Sequence, residues 1–209
     1  MLTKGIPIGE EYQFNCTLCG ECCRGDMEVY LNPYDLFKLA RHLGFSHTRQ
    51  LFEEGYVILV RGQNDMPVPR IRFRKAIIRF CPFLTNELDD ENQLIGRCGL
   101  HPAGKPLICS LSPVSRMIDL PAGHTEYRLV EPAPECPGMI TGKQNRLSDL
   151  LRTFNTELSF ETRFYRILDQ LKILKADVFS DADQLYYFES DQPFETILTH
   201  IEKHYGILT

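Results

Sequence analysis

The stretch CTLCGECCR, Cys16 to Arg24, places four of the chain's eight cysteines within eight residues. Cys16, Cys19 and Cys22 stand at C-x2-C-x2-C, and Cys23 follows directly. Each two-residue spacer lets the chain turn about a common centre, so successive thiols converge. Gly20 lies inside the second turn, where a positive φ costs least. An isolated cysteine is usually a small buried hydrophobe, but four thiols this dense make little sense as packing. Cys23 breaks the repeat. In extended or irregular backbone neighbouring side chains diverge, so Cys23 is expected to face away from the centre that Cys22 serves.

The other four cysteines come singly. Cys81-Pro82 and Cys136-Pro137 each have the form of the distant Cys-Pro that completes many iron–sulfur loops. Cys98 and Cys109 lie in CGLHPAGKPLIC. Eight cysteines divide into two tetrads. In a two-centre partition Cys16, Cys19 and Cys22 would form one set with a Cys-Pro cysteine, and Cys23, Cys98 and Cys109 the other with the second Cys-Pro; a single centre is the other possibility. Which Cys-Pro belongs to which set stays open. Four thiolates suit an iron–sulfur cluster or Zn²⁺. Zinc sites commonly pair two C-x2-C knuckles. One triple run without a second knuckle favours a cluster, with zinc as the alternative. A redox dithiol at Cys16–Cys19 would lack the adjoining βαβ pattern and leave six cysteines unexplained.

Composition bounds the rest. The chain has 209 residues, is 43% hydrophobic and 24% charged, and carries a formal charge of -5. That is an ordinary globular balance with room for a real core, so the cysteines are not needed to rescue a tiny fold. The acidic excess argues against a general nucleic-acid binder. No secretory h-region opens the sequence and no apolar run is long enough to span a bilayer. The expectation is a cytoplasmic protein with no membrane association, in which cysteines serve metal or redox chemistry rather than disulfides.

Asn32 to Gly44, NPYDLFKLARHLG, reads as a helix with both ends marked. Asn32 is the N-cap, Pro33 fits the first position, and Gly44 takes the left-handed stop. Ser46 is expected to cap a shorter helix through about Glu54. Tyr56–Val60 reads as a strand, as does Pro69–Lys75, where Ile71 and Phe73 alternate with Arg70, Arg72 and Arg74. A further strand is expected over Thr125–Val130. Leu147, Leu150, Leu151, Phe154 and Leu158 keep helical spacing. Phe160, Phe164, Ile167, Leu168, Leu171 and Leu174 continue it after a bend near Ser159. A last helix covers about Gln192–Tyr205. These elements give an α+β fold: an irregular cysteine-rich core with short strands and N-terminal helices over residues 1–142, and a helical extension over 143–209 packed on it.

Other features carry less. His101, between two cysteines, is a candidate ligand but reads first as a turn residue. His200 and His204, at i and i+4, have no third ligand nearby and read as a solvated face. Arg70, Arg72, Arg74 and Arg79 are the local basic excess: a solvated strand face, or a docking surface for an acidic or phosphate-bearing partner. With no Walker loop, no GxGxxG and no Ser–His–Asp arrangement, the catalytic residues, if any, are unknown.

The order of all eight cysteines, through CTLCGECCR, CPFL at Cys81–Leu84, GRCGLHPAGKPLICSLSP at Gly96–Pro113 and ECPG at Glu135–Gly138, resembles the CxxCxxCC cysteine-cluster family. This family is also called YkgJ-type, a zinc- or iron-chelating domain. The resemblance covers about Tyr12 to Gly142. It implies metal binding, most simply an iron–sulfur cluster held by the eight cysteines, in electron transfer or a cluster-dependent modification with a protein or redox partner. Flagellin lysine methylases carry a similar cluster motif tied to [4Fe-4S]-dependent methyl transfer; this chain shows no identifiable methyl-donor site. It also departs from the family pattern. Lys105-Pro106 stands where Arg-Pro is usual, and Ser110–Pro113 replaces a basic–x–Phe–Pro run. Lysine cannot make arginine's planar two-pronged contacts. The alternative function is a zinc-stabilised interaction module without catalysis.

Overall fold

A computed structural model describes residues 5–62, 66–119, 122–140, 142–173 and 182–207. The expected position Leu174 lies outside them. Helices and small antiparallel sheets are mixed along the chain, an α+β arrangement. The chain forms two compact units that interleave in sequence. One comprises residues 1–27, 73–99 and 108–155; the other comprises 28–72, 100–107 and 156–209. Sequence alone suggested consecutive segments, 1–142 and 143–209. Instead residues 28–72 share a unit with the C-terminal helices.

The first unit is built from short strands. A three-stranded sheet runs in the order β1 (Ile6–Pro7), β10 (His124–Leu129), β9 (Val114–Asp119). β2 (Glu11–Gln13) pairs with β11 (Gln144–Arg146). Two hairpins follow one another: β5 (Arg74–Lys75) with β6 (Arg79–Phe80), then β7 (Leu84–Leu88) with β8 (Leu94–Cys98). α3 (Leu107–Leu111, from its second residue) carries Cys109, and α4 (Leu147–Thr153) closes the unit. β10 lies within the strand expected at Thr125–Val130 but for His124 at its start.

The second unit holds α1 (Pro33–His42), α2 (Arg49–Glu53), the pair β3 (Val57–Arg61) and β4 (Pro67–Ile71), α5 (Asn155–Ile173, from its second residue), α6 (Ala182–Tyr186) and α7 (Phe194–His204). α1 starts as its sequence dictates. The Asn32 side chain accepts the Asp35 N–H at 2.9 Å, and the Asp35 carboxylate accepts the Asn32 N–H at 3.2 Å, a reciprocal capping box. It ends with Gly44 at φ 74. The Phe45 and Gly44 N–H groups return to the Ala40 and Arg41 carbonyls, the double closure that satisfies a helix's last acceptors. Leu36, Leu39 and Ala40 are fully buried. Tyr34 and Phe37 pack with Phe160 and Phe194 at ring separations of 4.9 to 5.8 Å.

Two boundaries differ from expectation. α2 begins at Arg49, after Thr48, not at Ser46. The Thr48 hydroxyl does not cap the helix. It donates to the Tyr186 carbonyl at 2.8 Å and accepts the Phe188 N–H at 2.9 Å. The bend expected near Ser159 lies at Phe154, between α4 and α5. The strand expected over Pro69–Lys75 is broken at residues 72–73, between β4 and β5, but its alternation of burial is present: Ile71 and Phe73 are buried while Arg72 and Arg74 are exposed. Arg70, however, is half-buried against Glu28. No helix among the described residues is long and apolar enough to cross a membrane.

Candidate functional site

All eight cysteines fall in the first unit. None is in a disulfide. The loop 14–25 that carries four of them is fastened at three places. At its start, the Asn15 N–H donates to the Gly138 carbonyl at 3.0 Å. In its middle, the Gly96 N–H of β8 donates to the Leu18 carbonyl at 2.6 Å. At its end, the Cys81 N–H donates to the Cys23 carbonyl at 2.8 Å and the Gly25 N–H to the Arg79 carbonyl at 2.8 Å. Arg24 adds side-chain bonds to Glu21 at 2.8 Å and Asn86 at 2.9 Å.

The middle contact is a close approach of two backbones. A Cβ on Gly96 would lie 2.6 Å from the Gly20 Cα, and one on Gly20 would lie 3.1 Å from the Gly96 Cα. Gly20 adopts φ 73, the left-handed conformation its position suggested. Gly96 was not singled out from sequence. Its signal was a glycine inside a strand, which often marks close backbone approach.

Beside these anchors several thiols are neighbours. Cys23 contacts Cys81 and lies within electrostatic reach of Cys98. Cys136 lies within electrostatic reach of Cys19 and Cys22. Cys81 and Cys136, the two Cys-Pro cysteines, are buried; the Cys16 and Cys22 residues are exposed. Cys109 is half-buried on α3. The Cys136 N–H is held by the Glu131 carboxylate at 2.9 Å. Among the described residues three non-glycines have positive φ, and two of them, Leu18 and Glu135, immediately precede Cys19 and Cys136. Such conformations cost roughly 1 kcal/mol or more and tend to collect at functional sites.

The adjacent pair behaves differently from expectation. Glu21–Cys23 is a 3-10 turn, not extended chain. Successive side chains there are about 120° apart, at three residues per turn, rather than opposed. The Cys22 and Cys23 sulfurs therefore remain 4.0 Å apart while their other neighbours differ. The contact with Cys22 draws the Cys23 thiol down. The contact with Cys81, burial, and the charges Cys81 and Cys98 would carry outweigh it and push Cys23 up to about 12. Burial raises the Cys136 thiol; the Gly138 N–H opposes this, and Cys19 and Cys22 reinforce it.

Among the described residues no three His, Cys, Asp or Glu side chains converge as a bound metal ion requires. Thiols neighbour one another in pairs without closing about a point. Their all-thiol chemistry fits a soft metal or an iron–sulfur cluster. His101 belongs to the other unit, exposed in the turn 101–104. His200 and His204 are exposed on α7. Comparison with protein-family profiles, curated proteins and solved structures returns no match to this chain.

Proposed function

We propose that the chain binds iron–sulfur clusters of the [4Fe-4S] kind through two four-cysteine sets, and serves electron transfer or a cluster-dependent modification. The first set is Cys16, Cys19, Cys22 and Cys136; the second is Cys23, Cys81, Cys98 and Cys109. The observation that carries this reading is the separate anchoring of the two ends of one loop: Asn15 beside Gly138, and Cys23 beside Cys81. Cys16 joins the first set because it follows Asn15. Cys109 joins the second because the remaining places are then filled. The eightfold cysteine order, which resembles the CxxCxxCC family, supports the same assignment. A bound cluster would supply a one-electron redox centre. The chain's own part is to hold the loop, through Gly20, Gly96 and Arg24, and to keep Cys81 and Cys136 from water.

Anaerobically purified protein is expected to be brown, with iron and sulfide in comparable amounts and a paramagnetic signal on reduction. Cys19→Ala and Cys98→Ala should each remove part of the metal, and different parts. Equal loss of all metal in both variants would leave a single site. Colourless protein holding zinc alone, silent on reduction, would replace this reading by the zinc-stabilised interaction module.

A further inference from the structure

The two consecutive hairpins of the first unit end in exposed apolar tips of opposite charge. The β5–β6 tip presents Ile77, fully exposed, and Ile78, 55% exposed. Around them stand Arg74, Lys75 and Arg79. The pairing of Arg79 with Asp26 is a 3.3 Å contact to a fully solvated carboxylate and holds that charge weakly. The β7–β8 tip presents Leu88 and Leu94, 64% and 59% exposed. They are directly opposite in the ladder and form one apolar platform. The adjoining turn carries Asp89, Asp90 and Glu91. Asp89 accepts the Glu91 and Gln93 N–H groups at 2.9 and 2.8 Å, which fixes the turn and leaves Asp90 and Glu91 outward. Glu87 is already paired with Arg97.

We infer that the β5–β6 tip docks on the β7–β8 tip of a second copy of this chain. Three features select that occupant. Each tip has an apolar pair, so the contact excludes water from both. Each has three charges, positive on one and negative on the other, so approach is favourable in one pairing and repelled in like pairings. In a two-fold arrangement each copy gives one tip and receives the other, so the contact is made twice and the assembly closes as a dimer. Leucine and isoleucine tips without this pairing would leave apolar surface in water beside a charge set with no counterpart. Arg70 and Arg72 take no part. Arg70 pairs with Glu28, and both belong to the other unit.

A hairpin-on-hairpin contact is small beside the ~800 Å² per partner of a stable complex, so two reciprocal contacts define a weak dimer. Sedimentation velocity of the purified protein should show a concentration-dependent shift from monomer toward dimer over roughly 5 to 500 µM chain. Raising salt from about 50 to 500 mM should weaken association about tenfold or more, because the charges are exposed. R74E/K75E and D90K/E91K should each be monomeric alone and associate when mixed, since both contacts are then complementary again. Circular dichroism confirms that each variant is folded. Ile77→Ser should weaken association while leaving its salt dependence. A native chain that stays monomeric throughout, variants that self-associate like the native chain, or folded variants that do not associate on mixing would each overturn the proposal. So would binding of the monomer to anionic phospholipid vesicles that Ile77→Ser abolishes.

Discussion

Replacing Gly96 by alanine tests whether the approach of β8 to the cysteine loop holds that loop in place. The added methyl would sit 2.6 Å from the Gly20 Cα and 3.0 Å from its nitrogen, both backbone atoms, and 3.1 Å from a Leu84 methyl. The leucine can turn aside; the Gly20 backbone cannot, because the Leu18 carbonyl is bonded to the Gly96 N–H itself at 2.6 Å. Either the strands separate by an ångström or so, losing that bond at about 1 kcal/mol, or the overpacking remains at about 1 to 3 kcal/mol. We expect a loss of about 1 to 3 kcal/mol. Two other glycines calibrate it. Gly25→Ala meets nothing within 4 Å but has φ 70, so it should cost only the left-handed penalty, about 1 kcal/mol. Gly9→Ala also meets nothing and has no positive φ; it should be neutral within about 0.5 kcal/mol. The assay is urea unfolding at constant m-value, with metal per chain measured on the same samples. If Gly96→Ala is no less stable than Gly9→Ala and keeps its full metal, the contact does not position the loop.

Asp35 gives a pH test. It is almost fully buried. Burial raises its carboxyl from 3.8 to about 6, although Lys38 and the Leu107 and Asn32 N–H groups oppose the shift. The folded chain therefore keeps a proton that the unfolded chain releases. Stability from this group is fully present below pH 4 and is lost as pH rises through about 6. The stability difference between the native chain and Asp35→Asn should be larger at pH 4 than at pH 7.5, by up to about 3 kcal/mol. A difference that does not change with pH would remove the raised pKa. Thr48→Val, at a fully buried position, strands the Phe188 N–H and the Tyr186 carbonyl. It should cost about 2 kcal/mol in urea unfolding, and a cost below about 0.5 kcal/mol would show that water or a shift of residues 186–188 replaces the hydroxyl.

The elements that sequence made legible are those whose signals are local. Both ends of α1 follow from Asn32, Pro33 and Gly44, because cap, first position and stop all lie on one short segment; the reciprocal acceptor Asp35 was not singled out. The inward faces of α5 and α7 follow from spacing: Phe164, Ile167, Leu171, Phe194, Ile197, Leu198 and Ile201 are all buried. What failed was set by distant partners. Ser46 was the better cap by residue type, but where α2 begins depends on Thr48, whose hydroxyl bonds to residues about 140 positions away. The grouping of residues 28–72 with the C-terminal helices rests on aromatic packing among Tyr34, Phe37, Phe160 and Phe194. No window of sequence contains all four. The cysteine loop falls between these cases. Its density and Gly20 were visible at once. Its fastening to Gly96, Gly138 and Arg79 was not, because backbone hydrogen bonds leave little trace in residue identity.

The neighbouring thiols show how this matters for the site. Had Cys22 and Cys23 lain on a strand, they would point to opposite sides and two sets would be independent. In the 3-10 turn they diverge only in part, and their sulfurs stay 4.0 Å apart. The proposed sets therefore share an edge. Removing Cys22 takes a thiol that contacts Cys23 and also lies near Cys136, so it disturbs both groups. Removing Cys23 likewise frees Cys81 and changes the surroundings of Cys22. Neither residue can divide the sets cleanly, because substitutions in contact are not additive. Cys19 and Cys98 can, since the proposal puts each in one set and each neighbours a member of it: Cys19 near Cys136, and Cys98 near Cys23. The partition is thus decided by the cysteines farthest from the doubled pair, although the doubled pair is what raises the question.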